Sequence, residues 1–431
     1  MTLRAPGFPE AQVRDRARRG PRAAFPAVEE YGSTLFGGGS LAGDELDRMR
    51  LVPPVFTPFR WEKLLELGRE PVHEDVRLEA DVGGLRSTLP VYVSAFGSTR
   101  AAATDLGVAV SRQAGRLGIP MVIGENIVPV NGYGRTGHDG DSLLRRVHAY
   151  VEAARRDEGG IVVQQSTEDA DSEVWNLVYS DPAVQPLVET GRLAFELKAG
   201  QGAKPGLGGM TVLGRARAAR LAGQYTLIPL PDGDQVLRCG TPGTFTEEIL
   251  RQQVRMMRNN YPRARTWVKL PPARDVAPAA ETAWQAGAHA VTVDGQAGGT
   301  GWAPTAFLDH VGLPLAECLR RIVAHPHSLL VSSGMWEGTR VVKSLALGAR
   351  AVGLGRAALL AADEDPEAGL VNLVECLALE LRLLISALGK YHPDQLGVED
   401  VWMPGDARTP VEGRGAGQGR RPAEDGPLRT H

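Results

Sequence analysis

From about residue 90 to residue 355 the chain repeats one theme: a short apolar, β-branched run, a glycine-rich or polar loop, then a stretch with helical spacing. Eight runs read as strands: Val91–Phe96, Met121–Glu125, Ile161–Ser166, Ala194–Ala199, Trp267–Leu270, Ala290–Asp294, Leu329–Ser332 and Ala351–Leu354. Between them Ala101–Leu117, Ser142–Arg156, Glu247–Asn259, Ala277–Ala286 and Thr339–Leu347 read as helices. Alternation of this kind implies right-handed crossovers and a parallel sheet. Eight units favour closure over an open doubly wound sheet, so the expected fold is α/β, a (β/α)8 TIM barrel with an N-terminal arm and a C-terminal helical extension. The extension is residues 366–390, PEAGLVNLVECLALELRLLISALGK, expected as a long amphipathic helix packed outside the last strand.

The expected boundaries follow composition. Residues 1–50, rich in Arg, Pro and Gly, read as an arm over the domain; residues 51–403 read as the barrel with its helix, and 404–431 as a disordered tail. With 43% hydrophobic and 23% charged residues the chain can bury a large core, and a net charge of −3 gives no reason to expect nucleic acid or an anionic membrane. No apolar run approaches the roughly 20 residues of a membrane helix, and the opening MTLRAPGFPEAQVRDRARRGPRAAF has no apolar signal core. A cytoplasmic protein with a small-molecule partner is expected. Cys239, Cys318 and Cys376 are too widely spaced for a metal or iron–sulfur ligand set and are expected as reduced packing residues.

A barrel assembles its active site at the C-terminal ends of the strands and in the loops that follow. The first strand leads into Ser94-Ala95-Phe96-Gly97-Ser98, a turn that would let a flat ligand approach the backbone. The second ends in Gly124-Glu125-Asn126, and the third carries Gln164-Gln165-Ser166. After the fourth comes Lys198-Ala199-Gly200-Gln201-Gly202-Ala203-Lys204-Pro205-Gly206-Leu207-Gly208-Gly209. Glycines are costly to order, so a backbone bending around a ligand explains this density better than packing does. Lys204 would set a cation near an acidic substrate, or be a solvated loop lysine; Gln201 can donate and accept hydrogen bonds.

Lys269 places one ammonium in the otherwise apolar Thr266-Trp267-Val268-Lys269-Leu270-Pro271. Buried unpaired it would be expensive, so it should meet an anion such as a reduced flavin, negative around its N1 and C2 carbonyl, a strongly electron-accepting ligand, or a structural carboxylate. The last three strands lead into Asp294-Gly295-Gln296-Ala297-Gly298-Gly299-Thr300-Gly301, Ser332-Ser333-Gly334-Met335 and Gly353-Leu354-Gly355-Arg356-Ala357. Loops after strands seven and eight of barrels commonly bind phosphate through backbone N–H groups. Gly334 and Gly355 permit close approach and Arg356 adds charge. A phosphate site, a strand lysine and glycine-rich edges together point to FMN.

In this order the segments resemble the FMN-binding domain of glutamate synthase and its short stand-alone relatives, over residues 50–400. The most specific match is Gln201-Gly202-Ala203-Lys204-Pro205-Gly206 with Gly208-Gly209, supported by Val293-Asp294-Gly295, Gly298-Gly299-Thr300-Gly301 with Ala303-Pro304, Asp309-His310-Val311-Gly312-Leu313-Pro314-Leu315 and Ser344-Leu345-Ala346-Leu347-Gly348-Ala349. The resemblance implies a reduced FMN that passes a hydride to an imine of a 2-oxo acid and ammonia, giving glutamate in the family's case. It implies that Ser94, Ala95, Phe96, Gln164, Lys269, Gly298, Gly299, Thr300 and Gly301 hold the isoalloxazine ring. Gly334, Met335, Gly355 and Arg356 would hold the phosphate, and Lys204 and Gln201 would face the oxo acid. Glu125 matches the acidic residue of the family's Gly-Glu-Gly-Gly turn, where it would orient ammonia or shuttle a proton; its partner glycines are Asn126 and Ile127 here.

Other departures bear on the reaction. Residues 1–60 cannot supply the family's glutaminase cysteine, so the amine comes from elsewhere: ammonia, another small amine, or a separate amide-hydrolysing subunit. Ala358-Leu359-Leu360-Ala361-Ala362-Asp363 occupies the place of the family's cysteine cluster, so no iron–sulfur cluster is expected and the electron donor is unknown. Pro229-Leu230-Pro231-Asp232-Gly233-Asp234 replaces a Pro-Pro-His-type turn, and Thr167-Glu168-Asp169-Ala170 an aromatic-Phe-Gly segment. Two other readings stay open at this point: an FMN barrel with another reaction, hydroxy-acid oxidation or isomerisation, and a non-catalytic barrel subunit. The oligomeric state also stays open.

Overall fold

Eight parallel strands close on themselves in chain order, as the alternating pattern predicts. They are β1 Val91–Val93, β2 Met121–Ile123, β3 Ile161–Ser166, β4 Leu193–Lys198, β5 Arg265–Leu270, β6 Ala290–Asp294, β7 Ser328–Ser332 and β8 Ala351–Leu354. Closure is made where β8 pairs with β1, Val352 opposite Val91 and Leu354 opposite Val93. This computed structural model describes residues 3–24, 44–96, 105–124, 141–166, 174–200, 206, 210–219, 226–229, 235–239, 243–299, 305–322 and 325–403.

Side chains of a strand alternate between its two faces, so each barrel strand sends every second residue inward. One residue from each strand forms an inner apolar ring: Tyr92, Val122, Val162, Ala194, Trp267, Ala290, Leu330 and Ala351. Val82 and Leu85 complete it from below. They belong to a hairpin, Ala80–Val82 and Leu85–Ser87, whose turn uses Gly83 and Gly84 at positive φ. The indole N–H of Trp267 donates to the Gly83 carbonyl at 2.9 Å, which ties the hairpin across the N-terminal end of the barrel. The outward-facing residues pack against the surrounding helices in a larger core that includes Val91, Val93, Val163, Phe195, Val268, Val291, Val331 and Val352.

The helices obey local rules. Glu247–Asn260 starts with Thr246, whose hydroxyl accepts from the Ile249 N–H at 3.2 Å, and carries Glu247 and Glu248 in its first turn where the helix dipole favours acids. The predicted C-terminal helix is Gly369–Ala387. An N-terminal helix, Glu10–Arg19, packs along it and along Arg356–Glu364. Arg14 pairs with Asp363 at 2.9 Å and Glu364 at 3.1 Å, and Arg16 with Glu380 at 2.7 Å. Like the hairpin at 80–87 and the helix Glu10–Arg19, another element has no counterpart in the sequence reading. Between β4 and β5 the chain forms a three-stranded antiparallel sheet, Met210–Gly214, Thr226–Pro229 and Gln235–Cys239, with the last strand in the middle. Its short strands are separated by Gly, Pro and polar residues, which hid their periodicity.

Candidate active site

Two residues beyond the apolar ring the inward positions turn polar. Gln164, Glu196, Lys269, Thr292 and Ser332 are all buried there, and Asp294, two residues further along β6, joins them. Glu196 is the hub: Thr292 Oγ1 donates to its Oε1 at 2.7 Å and Gln164 Nε2 donates to its Oε2. Lys269 Nζ lies 3.3 Å from Asp294 Oδ2, and Ser332 Oγ donates to Asp294 Oδ1. The Tyr92 hydroxyl donates to the Val331 carbonyl at 3.3 Å.

Such a storey is costly to bury unless its charges meet, and here one ammonium is set among two acids. Burial pushes the Glu196 carboxyl up, opposed by the charge of Lys269 and the hydrogen bonds from Thr292 and Gln164. Burial, with the charges of Glu196 and Asp294, lifts Tyr92 well above the ordinary phenol value, so it remains a hydroxyl. The layer can therefore hold a proton beside a cation inside the barrel.

Above it lies the mouth. Ser94, Phe96 and Met335 are buried at its edge, beside Ala95. Ser333, just after β7, has φ 151°, a conformation that L side chains rarely adopt, and Gly334 follows at φ 61°. Backbone strain of this kind persists where the surroundings enforce it and clusters at ligand sites. Gly355 stands at the start of the helix Arg356–Glu364, which has no side-chain cap, so its first N–H groups are offered to the mouth. Among the described residues, a Cβ at Gly355 would meet only Ser94 Cβ, at 3.8 Å, and one at Gly299 only Arg356 Cγ, at 3.9 Å. Among the described residues the two backbones thus leave room beside a helix start with no side-chain cap, a cradle that fits the phosphate of FMN. Arg356 reaches across it: Nη2 donates to the Ala297 carbonyl at 2.6 Å, and the guanidinium lies 4.4 Å from the Phe8 ring centroid.

The sequence-predicted residues therefore divide. Ser94, Ala95, Phe96, Gly298, Gly299, Gly334, Met335, Gly355 and Arg356 gather around the mouth, while Gln164 and Lys269 belong to the polar storey beneath it. Glu125, Gln201, Lys204, Thr300 and Gly301 lie outside the described residues. Glu196 was missed, although Leu193-Ala194-Phe195-Glu196-Leu197-Lys198 holds a charge within an apolar strand, the same signal that singled out Lys269. The backbone of Ser333 left no sequence signal beyond its neighbour Gly334.

Residues 152–364, from before β3 to the end of the helix after β8, match the family described as the conserved region in glutamate synthase. Nearly half of the chain is thus similar to the glutamate synthase family. A glutamate synthase large subunit-like protein of Rhizobium meliloti is 38% identical over 184 residues, 40% of either chain. An archaeal-type glutamate synthase of Thermotoga maritima is 34% identical over 177 residues, 39% of this chain and 34% of the relative. The matches thus span between a third and two fifths of the length of these glutamate synthase relatives. Among solved structures, a soluble mutant of the membrane-associated (S)-mandelate dehydrogenase of Pseudomonas putida superposes with a TM-score of 0.53 at 20% identity, covering 92% of this chain and 99% of that one. The flavin-binding domain of baker's yeast flavocytochrome b2 gives 0.54 at 18% identity, covering 90% and 84%. These two establish a shared barrel fold. Among the described residues, no helix is long and apolar enough to cross a membrane.

Proposed function

We propose that the protein is an FMN-dependent oxidoreductase of the glutamate synthase type, reducing the imine of a 2-oxoglutarate-like oxo acid and ammonia or a small amine. One observation carries the reading: the open cradle at Gly299, Gly355 and the uncapped helix start sits over a buried lysine held among carboxyl groups, in a chain matching the glutamate synthase region. The backbone of Ser333, Gly334 and Gly355, with Met335 and Arg356, would hold the phosphate; Ser94, Ala95, Phe96 and the segment 298–301 would border the ring, with Gly299 at its phosphate end. Bound there, FMN would supply the hydride. Lys269 would give the cofactor a counter-charge from beneath, its ammonium kept in place by Asp294. Glu196 can keep a proton in the same layer.

In this reading Gln201 and Lys204 face the oxo acid and Glu125 orients the amine. Residues 51–403 form the catalytic unit, with 1–50 as an arm and 404–431 as a tail, and the protein works in the cytoplasm with a separate electron donor. Its cofactor is FMN without an iron–sulfur cluster. The test starts with the visible spectrum. A colourless protein that cannot be reconstituted with FMN would sink the proposal. With flavin bound, reoxidation of the reduced protein should be accelerated by 2-oxoglutarate together with ammonia or methylamine; no acceleration by any imine-forming pair would rule out the reaction while leaving the flavin site standing.

A further inference from the structure

Arg146 is a fully buried guanidinium that the proposed reaction does not use. It lies on the helix Asp141–Ala153, which follows β2, and is 0% exposed. Its Nη1 donates to the carbonyl of Phe96 at 3.4 Å, and its guanidinium carbon stands 4.7 Å from the centroid of the Phe96 ring. Its Nε and Nη2 have no acceptor among the described residues. Burial alone, with no carboxylate to offset it, pulls its pKa down to about 9. By contrast, the buried Arg340 takes both Asp44 and Asp47, and the partly buried Arg16 takes Glu380.

A guanidinium is a planar fork of N–H donors suited to two oxygens of one anion. Left unmatched in the interior it opposes folding, so its retention needs a return in another state of the molecule. Its place suggests the state. Phe96 borders the mouth, and the neighbouring Ser94 lies 3.8 Å from the point where a side chain at Gly355 would begin. We infer that Arg146 is an oxyanion-binding residue at the barrel mouth, whose unmatched N–H groups take a carboxylate or phosphate of a bound ligand. The inference rests on the proposed function only in taking this mouth as the ligand site. The oxyanion has two sources, the carboxylate of an acidic substrate and the phosphate of the flavin.

The experiment uses the full chain as wild type, Arg146→Met and Arg146→Lys. Thermal midpoints are measured without ligand, and dissociation constants for FMN, riboflavin and, on the FMN-loaded protein, 2-oxoglutarate. Arg146→Met should raise the midpoint of the ligand-free protein, because an unmatched buried charge is gone. It should also weaken one ligand by about 10- to 100-fold, the range of a charge-assisted hydrogen bond. Weaker 2-oxoglutarate with unchanged FMN assigns the substrate carboxylate; weaker FMN with unchanged riboflavin assigns the phosphate. Arg146→Lys, a point charge without the fork, should fall between. Unchanged affinities for all three ligands overturn the inference whatever the midpoint does. A lowered midpoint in both variants with those affinities intact identifies the residue as structural. Failure of the proposed reaction would be seen separately: these readouts need no turnover, and should the protein bind no flavin, 2-oxoglutarate can be titrated against the flavin-free chain.

Discussion

Replacing Lys269 by Met tests the polar storey most directly. Lys269 is 5% exposed, 3.3 Å from Asp294, and it lowers the pKa of Glu196 by its charge. Methionine fills a similar volume but leaves both acids without that ammonium. Removing one partner of a buried ion pair costs about 3–5 kcal/mol. With a urea slope near ~3 kcal/mol/M, the upper end for small proteins and suited to a longer chain, the midpoint should fall by about 1–2 M. The loss should depend on pH, and its sign is fixed. Glu196 already has a raised pKa in the fold, so its contribution is fully present below the unfolded carboxyl value and is lost as pH rises through the folded value. Without Lys269 the folded value moves higher still, so the deficit should be larger at pH 8 than at pH 5. Adding Glu196→Gln to Lys269→Met should recover part of it. A deficit below about 1 kcal/mol, or one equal at both pH values, would refute the reasoning, since breaking a buried pair should cost more.

Three further outcomes follow from other parts of the molecule. Gly83→Ala would force a Cβ to 2.6 Å from the Trp267 indole at φ 64°, and should cost at least the ~1–3 kcal/mol of an overpacked core, read as a lower thermal midpoint. Arg340→Gln should release residues 44–51, seen as faster hydrogen exchange there. Burial alone would raise Asp44, but the hydrogen bonds and charge of Arg340 hold it below its ordinary value, so the wild-type contact itself should weaken only as pH falls through that lowered pKa. Burial pushes the Cys318 and Cys376 thiols up to about 12 and about 11, so a thiol reagent at pH 8 should label only Cys239 in the native protein; rapid labelling of two or three cysteines would contradict the packing.

The barrel was legible because its strands are buried on both faces and so read as apolar β-branched runs, such as Ala290-Val291-Thr292-Val293. Strand ends were less so: the run Val91–Phe96 reads as one strand, yet pairing stops at Val93, where the chain leaves the sheet for the mouth. The glycine cradle was visible as composition, and its geometry was not. Arg146 escaped notice because Arg145-Arg146 looks like a solvated helix face. The helical step of 100° separates them: Arg145 faces Asp105 at the surface, while Arg146 turns under Phe96. Glu196 was overshadowed by the glycine loop that follows it. In each case the residue type was present in the sequence, and its partner lay far away in the chain.

Among the described residues, Trp267 and the hairpin at 80–87 close the N-terminal end of the barrel and leave its mouth as the way in. A vessel open at one end makes its visitors take turns. On the proposed function, the donor that reduces the site and the acceptor that reoxidises it share that mouth, so the two are expected to occupy it in turn. Steady-state rates measured at several fixed concentrations of one partner should then plot as parallel lines in double-reciprocal form, the mark of alternating occupancy.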